Sequence, residues 1–334
     1  MSWLSKFGHN KGHAGALNRG TAADLKLVPA PKKKIWTVGG GKGGVGKSFM
    51  ASNLGIFLAR SGKKVLLIDA DLGAANLHTL VRAEKSRMSL SNFLITGNLD
   101  DLRHLIAGTS VQNVDLISGA RDSLDVADFN GDKLRMLREA IEIVEYDHVV
   151  LDIGPGTSKS NLELFNMADE GVIVNTPDPT SIENSYRFLK CLYRHRLRNI
   201  INSQEDGKLK ELLQKALCTN GQAPPMTIAD IFRKIEQLDG DQGRFLKRLM
   251  AGKRISIVIN QAKNPADMDI GPAMKRACHD YFGLEVGYLG CINYDDCVVD
   301  SIRQRKPLII HFNQSEAAKA VVASLYRLQD AKTG

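Results

Sequence analysis

Eight consecutive residues, Gly41-Lys42-Gly43-Gly44-Val45-Gly46-Lys47-Ser48, satisfy the spacing G-x-x-x-x-G-K-S/T. That spacing has a physical purpose. Glycines let successive backbone N–H groups turn inward around the β- and γ-phosphates of a nucleotide. A lysine at position 47 neutralises those phosphates, and the Ser48 hydroxyl is placed to ligate Mg²⁺. Lys42, directly after the first glycine, is a second lysine that the spacing itself does not require. Gly39, Gly41 and Gly44 also fit the shorter dinucleotide pattern G-x-G-x-x-G, with Asp69 in the role of a ribose-binding acid. That reading leaves the adjacent Lys47-Ser48 without a task, so the triphosphate loop is preferred.

Three carboxylates stand where such a loop needs them. Asp69 and Asp71 follow the apolar run Val65–Ile68, and Asp152 ends the run His148–Leu151. An acid at the end of a buried strand beside a phosphate loop is suited to hold Mg²⁺ through water. The elements that position these groups are legible as alternating apolar runs and helical stretches. Strands are expected at Ile35–Val38, Val65–Asp69, Val114–Ser118, His148–Asp152, Gly171–Asn175, Ile255–Asn260 and Val286–Ile292, and a helix at Phe49–Arg60. Runs buried on both faces, with helices between them, predict a doubly wound, mostly parallel α/β sheet with helices on both faces. Such sheets bind ligands at the carboxyl ends of their strands, where the loop, Asp71 and Asp152 all fall.

Lys42–Ser48 resembles the deviant Walker A motif of the MinD/ParA ATPases, relatives of nitrogenase iron protein and of Mrp. Ile68-Asp69-Ala70-Asp71-Leu72-Gly73-Ala74-Ala75-Asn76-Leu77 resembles their second acidic motif, and His148–Gly156 their Walker B strand and second switch. The resemblance runs in order from about Lys33 to the last helix, except over residues 199–254. It implies a P-loop NTPase fold like that of nitrogenase iron protein, with ATP and Mg²⁺ as cofactors and slow, regulatory hydrolysis. By the same resemblance Gly41, Lys42, Gly43, Gly44, Val45, Gly46, Lys47, Ser48 and Phe49 bind the nucleotide. Lys42 reaches across an ATP-dependent homodimer to the partner's phosphates, Asp71 positions the attacking water, and Ser48, Asp69 and Asp152 serve the metal. Asn260, at the end of an apolar strand, is the implied adenine contact. The sequence departs from the family pattern twice: Phe49 stands where many relatives carry a threonine, and Asn293 where a proline is expected.

Acting partners are the open question. The formal net charge is +8, and residues 1–34 hold seven Lys/Arg against the single acid Asp24. Residues 1–32 therefore read as a flexible basic arm preceding an ATPase domain at 33–334. Trp3, Leu4 and Phe7 would share one face of a helical turn there, suited to a membrane interface or a protein partner. The run Tyr186–Arg198 reads as a basic helix, either a solvated face or a site for nucleic-acid phosphates. A helical insertion is expected at about 199–254, broken near Gly221–Pro225. Within it Gly243-Arg244-Phe245-Leu246-Lys247-Arg248-Leu249-Met250 resembles the membrane-touching tail of MinD, although that tail lies at the C-terminus in the family. Ser315–Leu328 reads as a core-packing helix.

No stretch is long and apolar enough for a spanning helix, and five scattered cysteines suit a reducing cytoplasm. Cys291 and Cys297 lie six apart, unlike the Cys-x-x-Cys pair of cluster carriers. The segment from Asp71 to His78 looks closest to MinD-like proteins of the flagellar-number-regulator type. The short Gln/Leu/Arg motif usual near the N-terminus of that branch is absent. The expected activity is therefore an ATP-switched spatial or assembly regulator, cytoplasmic or peripheral to the inner membrane or nucleoid. A ParA-type DNA-segregation ATPase binding DNA nonspecifically is the alternative, and an Mrp-like cofactor carrier a further one.

Overall fold

Side-chain alternation in two short strands dictates the layers. In β1 (Lys34–Gly39), Ile35 joins one hydrophobic cluster while Trp36 and Val38 join another. In β2 (Val65–Ala70), Leu66 and Ile68 enter the first cluster, Val65 and Leu67 the second. Successive strand residues point to opposite faces, so a strand apolar at every position must be covered on both sides. Each fully buried aliphatic side chain contributes about 1.5–3 kcal/mol, which makes these strands the anchor of the fold.

The structure, a computed structural model, describes residues 33–84, 86, 88–119, 131–203, 207–217 and 226–330. The arm expected over residues 1–32 and the break expected near Gly221–Pro225 lie outside the described residues. Six further strands complete the sheet: β3 (Ile106–Gly108), β4 (Val114–Ile117), β5 (His148–Ile153), β6 (Glu170–Asn175), β7 (Arg254–Ala262) and β8 (Gly287–Asn293). Their order is β3-β4-β2-β5-β1-β6-β7-β8, parallel throughout except for the antiparallel edge pair β3–β4. Seven of the eight strands follow the apolar runs of the sequence. The three-residue β3 was not expected, because it is too short to show a period.

The longer helices are α1 (Lys47–Arg60), α2 (Gly131–Ile143), α3 (Lys159–Met167), α4 (Pro179–Ser203), α5 (Gly207–Leu217), α6 (Ile228–Leu238), α7 (Gly240–Ala251), α8 (Ile270–Phe282), α9 (Asp296–Arg303) and α10 (Glu316–Asp330). Residues of α1 and α10 build the cluster on one face of the sheet. Residues of α2 to α8 build the cluster on the other. Among the described residues no helix is long and apolar enough to cross a membrane.

Between α4 and β7 the chain is helical, but α4 runs past the boundary expected near residue 199. Helix α4 continues to Ser203, since nothing after Pro179 in it breaks a helix. The insertion belongs to the first face: Leu209, Leu213, Ile231, Phe232, Ile235, Leu246 and Met250 all join that core. Its helices have firm starts. Thr227 and Asp230 form a reciprocal cap on α6, and Asp239 accepts from the Asp241 and Gln242 N–H groups to cap α7. Lys208 of α5 reaches Asp239 at 2.6 Å, tying the three helices together.

Helices α6 and α7 approach closely at Gly243, where a Cβ atom would stand 2.7 Å from the Glu236 Cα. Gly243→Ala is therefore expected to destabilise the protein by about 1–3 kcal/mol through overpacking, although alanine favours helix locally. Equilibrium denaturation of the two proteins measures this, and equal stability would show that the helices separate freely.

Candidate functional site

The phosphate loop is wedged between the α4 backbone and the Asn260 side chain. Gly46 caps α1 in a left-handed conformation (φ 98°), and a Cβ there would lie 2.3 Å from the Asn260 Nδ2. At Gly41 a Cβ would lie 2.2 Å from the Asn184 carbonyl oxygen of α4. Only glycine permits both approaches. The loop thus leaves β1 and enters α1 with the N–H groups of the first helical turn free for an anion.

Lys47 is buried, and its ammonium donates to the Lys42 carbonyl at 3.3 Å. Burial lowers its pKa, opposed by the charges of Asp152 and Asp71. Ser48 follows it, partly exposed at the mouth of the loop. The Phe49 side chain is in the core beneath α1, so this residue has only its backbone N–H to offer a phosphate. Val45 is likewise a core side chain.

The acids converge on the same edge. Asp69 and Asp152 are register partners on adjacent strands β2 and β5, and both are fully buried. Asp69 accepts from the Asp71 N–H at 3.3 Å and the Leu77 N–H at 3.0 Å, so its two oxygens shape the loop after β2. Neither Asp152 oxygen has a hydrogen-bond partner; the Ser48 hydroxyl is the nearest dipole that eases its charge. Burial pushes Asp69 up to about 7 and Asp152 up to about 8, the Asp69 charge adding to the latter. Asp71 is partly exposed, with its carboxylate beside Gly154. The loop after β5 is fixed by Asn161, whose amide donates to the Gly154, Pro155 and Gly156 carbonyls at 3.1, 2.9 and 3.3 Å.

An orphaned carboxylate beside a hydroxyl, at the mouth of a phosphate cradle, fits a hard divalent cation completed by phosphate oxygens and water. Among the described residues no group of three or more His, Cys, Asp or Glu forms a self-sufficient metal cage. Mg²⁺ fits this donor set better than a cluster would.

Lys42 takes an unexpected position. Its ammonium pairs with Asp178 Oδ1 at 2.8 Å and with Thr180 Oγ at 2.8 Å, at a half-exposed rim. Asp178 also caps α4 through the Ser181 N–H at 2.9 Å, and these contacts hold its carboxyl well below the usual carboxylate range despite some desolvation. Asn260 is turned to the loop as well: its Nδ2 donates to the Val45 carbonyl at 2.9 Å. The Asn260 Oδ1 is the atom left for a base, and it would accept from an amino group.

The structure therefore brings together Gly41–Ser48, Asp69, Asp71, Asp152 and Asn260, and adds Asn161 and Asp178. Sequence reasoning missed both additions. Asp178 had one available signal, an acid followed by proline at the start of a helix.

This fold and site define a P-loop nucleotide-binding protein of the doubly wound class. Residues 32–200 match the family described as ParA, NUBPL iron-transfer P-loop NTPase, and the chain belongs to that family. It is 31% identical over 179 residues to a septum site-determining protein MinD of Oltmannsiellopsis viridis, a match covering 53% of this chain and 55% of that one. It is 29% identical over 188 residues to the flagellum site-determining protein YlxH of Helicobacter pylori, covering 52% and 60%. The chain thus spans little more than half the length of these relatives. The fold matches MinD of Pyrococcus horikoshii, solved with Mg-ADP, at a TM-score of 0.58 and 20% identity, covering 90% of this chain and 98% of that one.

The raised acid pKa values carry a linkage consequence. A carboxyl with a folded pKa above its unfolded value binds more protons when folded, so its burial weakens the apo protein as pH climbs from about 4 to about 8. Asp152→Asn removes that penalty. The variant is expected to melt higher than wild type at pH 8, by about 2–4 °C per kcal/mol relieved, with the gain vanishing near pH 4. Thermal melts across pH without nucleotide check this, and an unchanged midpoint at pH 8 would refute it.

Proposed function

We propose that the protein is a Mg²⁺-dependent ATP-binding and hydrolysing switch that dimerises with ATP and acts as a spatial or assembly regulator of the MinD or flagellar-regulator type. The observation that carries this reading is the position of Lys42. A lysine of the phosphate loop holds its charge at an exposed rim, on Asp178 and Thr180, rather than at a buried structural contact. From a rim a lysine is placed to serve phosphates held by a second subunit, as an arginine finger does in trans. The relatives named for septum and flagellum site determination support the regulatory role.

In this reading each residue has a defined task. The loop N–H groups and Lys47 hold the β- and γ-phosphates. Ser48 and Asp152 hold the metal shell, and Asp69 keeps the loop after β2 in register for Asp71. Asp71 accepts a hydrogen bond from the attacking water and orients it. Mg²⁺, when bound, supplies the charge that offsets the phosphate oxygens. The Asn260 Oδ1 accepts from the base amino group, which favours adenine over guanine at that point.

The ParA-type DNA reading draws on the exposed cations of α4. Arg187 there is already paired with Glu183 at 3.0 Å, and Arg196 is buried, so the stripe is thinner than its sequence suggests. The membrane reading draws on Phe245 and Leu249 of α7, which are exposed beside Arg244, Lys247 and Arg248.

Light scattering on apo, ADP and ATP states provides the test. ATP should double the mass, Asp71→Ala should trap the doubled form, and Lys42→Ala should lower hydrolysis by about 10³-fold, the low end for a finger in trans. A mass that stays fixed in all three states would refute the switch.

A further inference from the structure

Helix α4 does not present its basic residues uniformly. Arg194 and Arg198 face solvent, whereas Arg196 is only 8% exposed. Its Nε donates to the Asn166 Oδ1 at 2.7 Å. Its other N–H groups find only the Met250 and Lys253 carbonyls, at 3.5 and 3.4 Å, and its face lies 5.5 Å from the Tyr193 ring centre. No carboxylate among the described residues pairs with it. Beside it Lys253 donates to the Asn166 carbonyl. Burial, with the charges of Arg196 and Arg138, lowers the Lys253 pKa to about 8 against an opposing Asp169. The Asn166 Nδ2 is buried and has no acceptor at all.

These groups line one cavity of about 640 Å³ between α2, α3, α4 and α7. Arg135 and Arg138 stand at its α2 side, and Leu134, Met167, Ile200 and Leu249 supply apolar wall. Glu163 is the one carboxylate lining it, and it pairs with Lys159 at 3.7 Å; the His195 imidazole, its pKa lowered by burial, stands 4.0 Å from it. Asp169 is engaged elsewhere, accepting from the Ile35 N–H at 2.9 Å. The cavity opens where α3 gives way to β6 and α7 to β7, at the amino ends of the strands. The phosphate loop lies at the opposite ends, about 20 Å away for strands of this length.

Arg196, Lys253 and the Asn166 Nδ2, which line this cavity together, are all donors. The Asn166 Nδ2 has no acceptor, and the buried Arg196 meets an amide oxygen and carbonyls but no carboxylate, so its charge is left unbalanced as the protein alone builds the site. Guanidinium and ammonium groups together match the oxygens of a phosphate, and a guanidinium does so through two parallel hydrogen bonds. A cavity of several hundred Å³ exceeds a bare phosphate and suits a small organic ligand. We propose that this cavity is a second anion site, taking a phosphate group carried on an apolar body. Arg196, Lys253 and the Asn166 amide donate to the phosphate oxygens, Arg138 faces them from the rim, and the apolar wall contacts the body.

A phosphate of this kind is offered by a free organic phosphate or by a phospholipid headgroup. The test uses the full chain with Mg-ADP saturating the phosphate loop. Phenyl phosphate is titrated calorimetrically, and flotation is measured with phosphatidylcholine vesicles with and without phosphatidylglycerol. Saturable binding of phenyl phosphate, weakened about tenfold or more by Lys253→Met and by Arg138→Ala, is expected, since each removes a charged donor. Arg194→Ala, on the exposed side of the same helix, should bind like wild type. Hydrolysis of ATP should be unchanged in all three variants. Flotation that needs phosphatidylglycerol and is lost in Lys253→Met would assign the headgroup as the source; binding of phenyl phosphate without such flotation would assign a free phosphate. The proposal is overturned by absence of both saturable binding and Lys253-dependent flotation. It is equally overturned if binding survives Lys253→Met and Arg138→Ala, or if Arg194→Ala weakens it as much as they do.

Discussion

Two carboxylates abreast in the middle of a parallel sheet govern the rest of this structure. Asp69 and Asp152 are neighbours across β2 and β5, both at zero exposure, with Lys47 the buried cation that the phosphate loop sends towards them. Like charges at such a separation repel strongly where water is excluded. The chain relieves one acid with the backbone N–H groups of Asp71 and Leu77 and leaves the other unsatisfied. The asymmetry is chemically meaningful. Asp69 spends its oxygens on shaping a loop, whereas Asp152 keeps both lone-pair sets for something the protein does not itself supply. The phosphate loop, the Ser48 hydroxyl and Asp71 gather at that unbalanced edge.

The second constraint is closeness of backbones. A phosphate loop must present N–H groups in a fixed fan, and here it is fixed from outside. The Asn184 backbone presses on Gly41, and the Asn260 amide holds the turn at Val45 and Gly46. Asn161 performs the equivalent task for the loop after β5, bonding three carbonyls in succession. Side chains that a functional reading assigns to ligand thus also hold the site's shape. For Asn260 the nitrogen serves the loop, by its hydrogen bond to the Val45 carbonyl.

What the sequence made legible was whatever depends on neighbours along the chain. The phosphate loop, the acids ending β2 and β5 and the two-sided burial of the sheet are local patterns, and they fell where expected. What it concealed depends on partners far apart. Asp178 meets Lys42 across 136 positions, and Asn161 acts on a loop that shows no periodicity. Arg196 lies in a run that reads as uniformly basic, yet the packing of α7 and the β7 approach against α4 turns that one cation inward. Strand β3 has three residues and an antiparallel partner, too little for any period to register. Phe49, counted with the ligand site by its place in the motif, sends its side chain into the core and leaves its backbone N–H to the loop.

Helix α4 gives the molecule a lever. It is 25 residues long, about 37 Å at 1.5 Å per residue, and carries no glycine or proline beyond its first position. A helix without a hinge moves as a rigid body, so a tilt at one end becomes an arc at the other. Its first turns hold Asp178, Thr180 and the Asn184 carbonyl against the phosphate loop, while its fifth and sixth turns carry His195, Arg196 and Asn199 into the distal cavity. Opposite ends of the strands therefore share one mechanical part. A ligand at either end that shifts this helix would change affinity at the other, and linkage makes the factor the same in both directions.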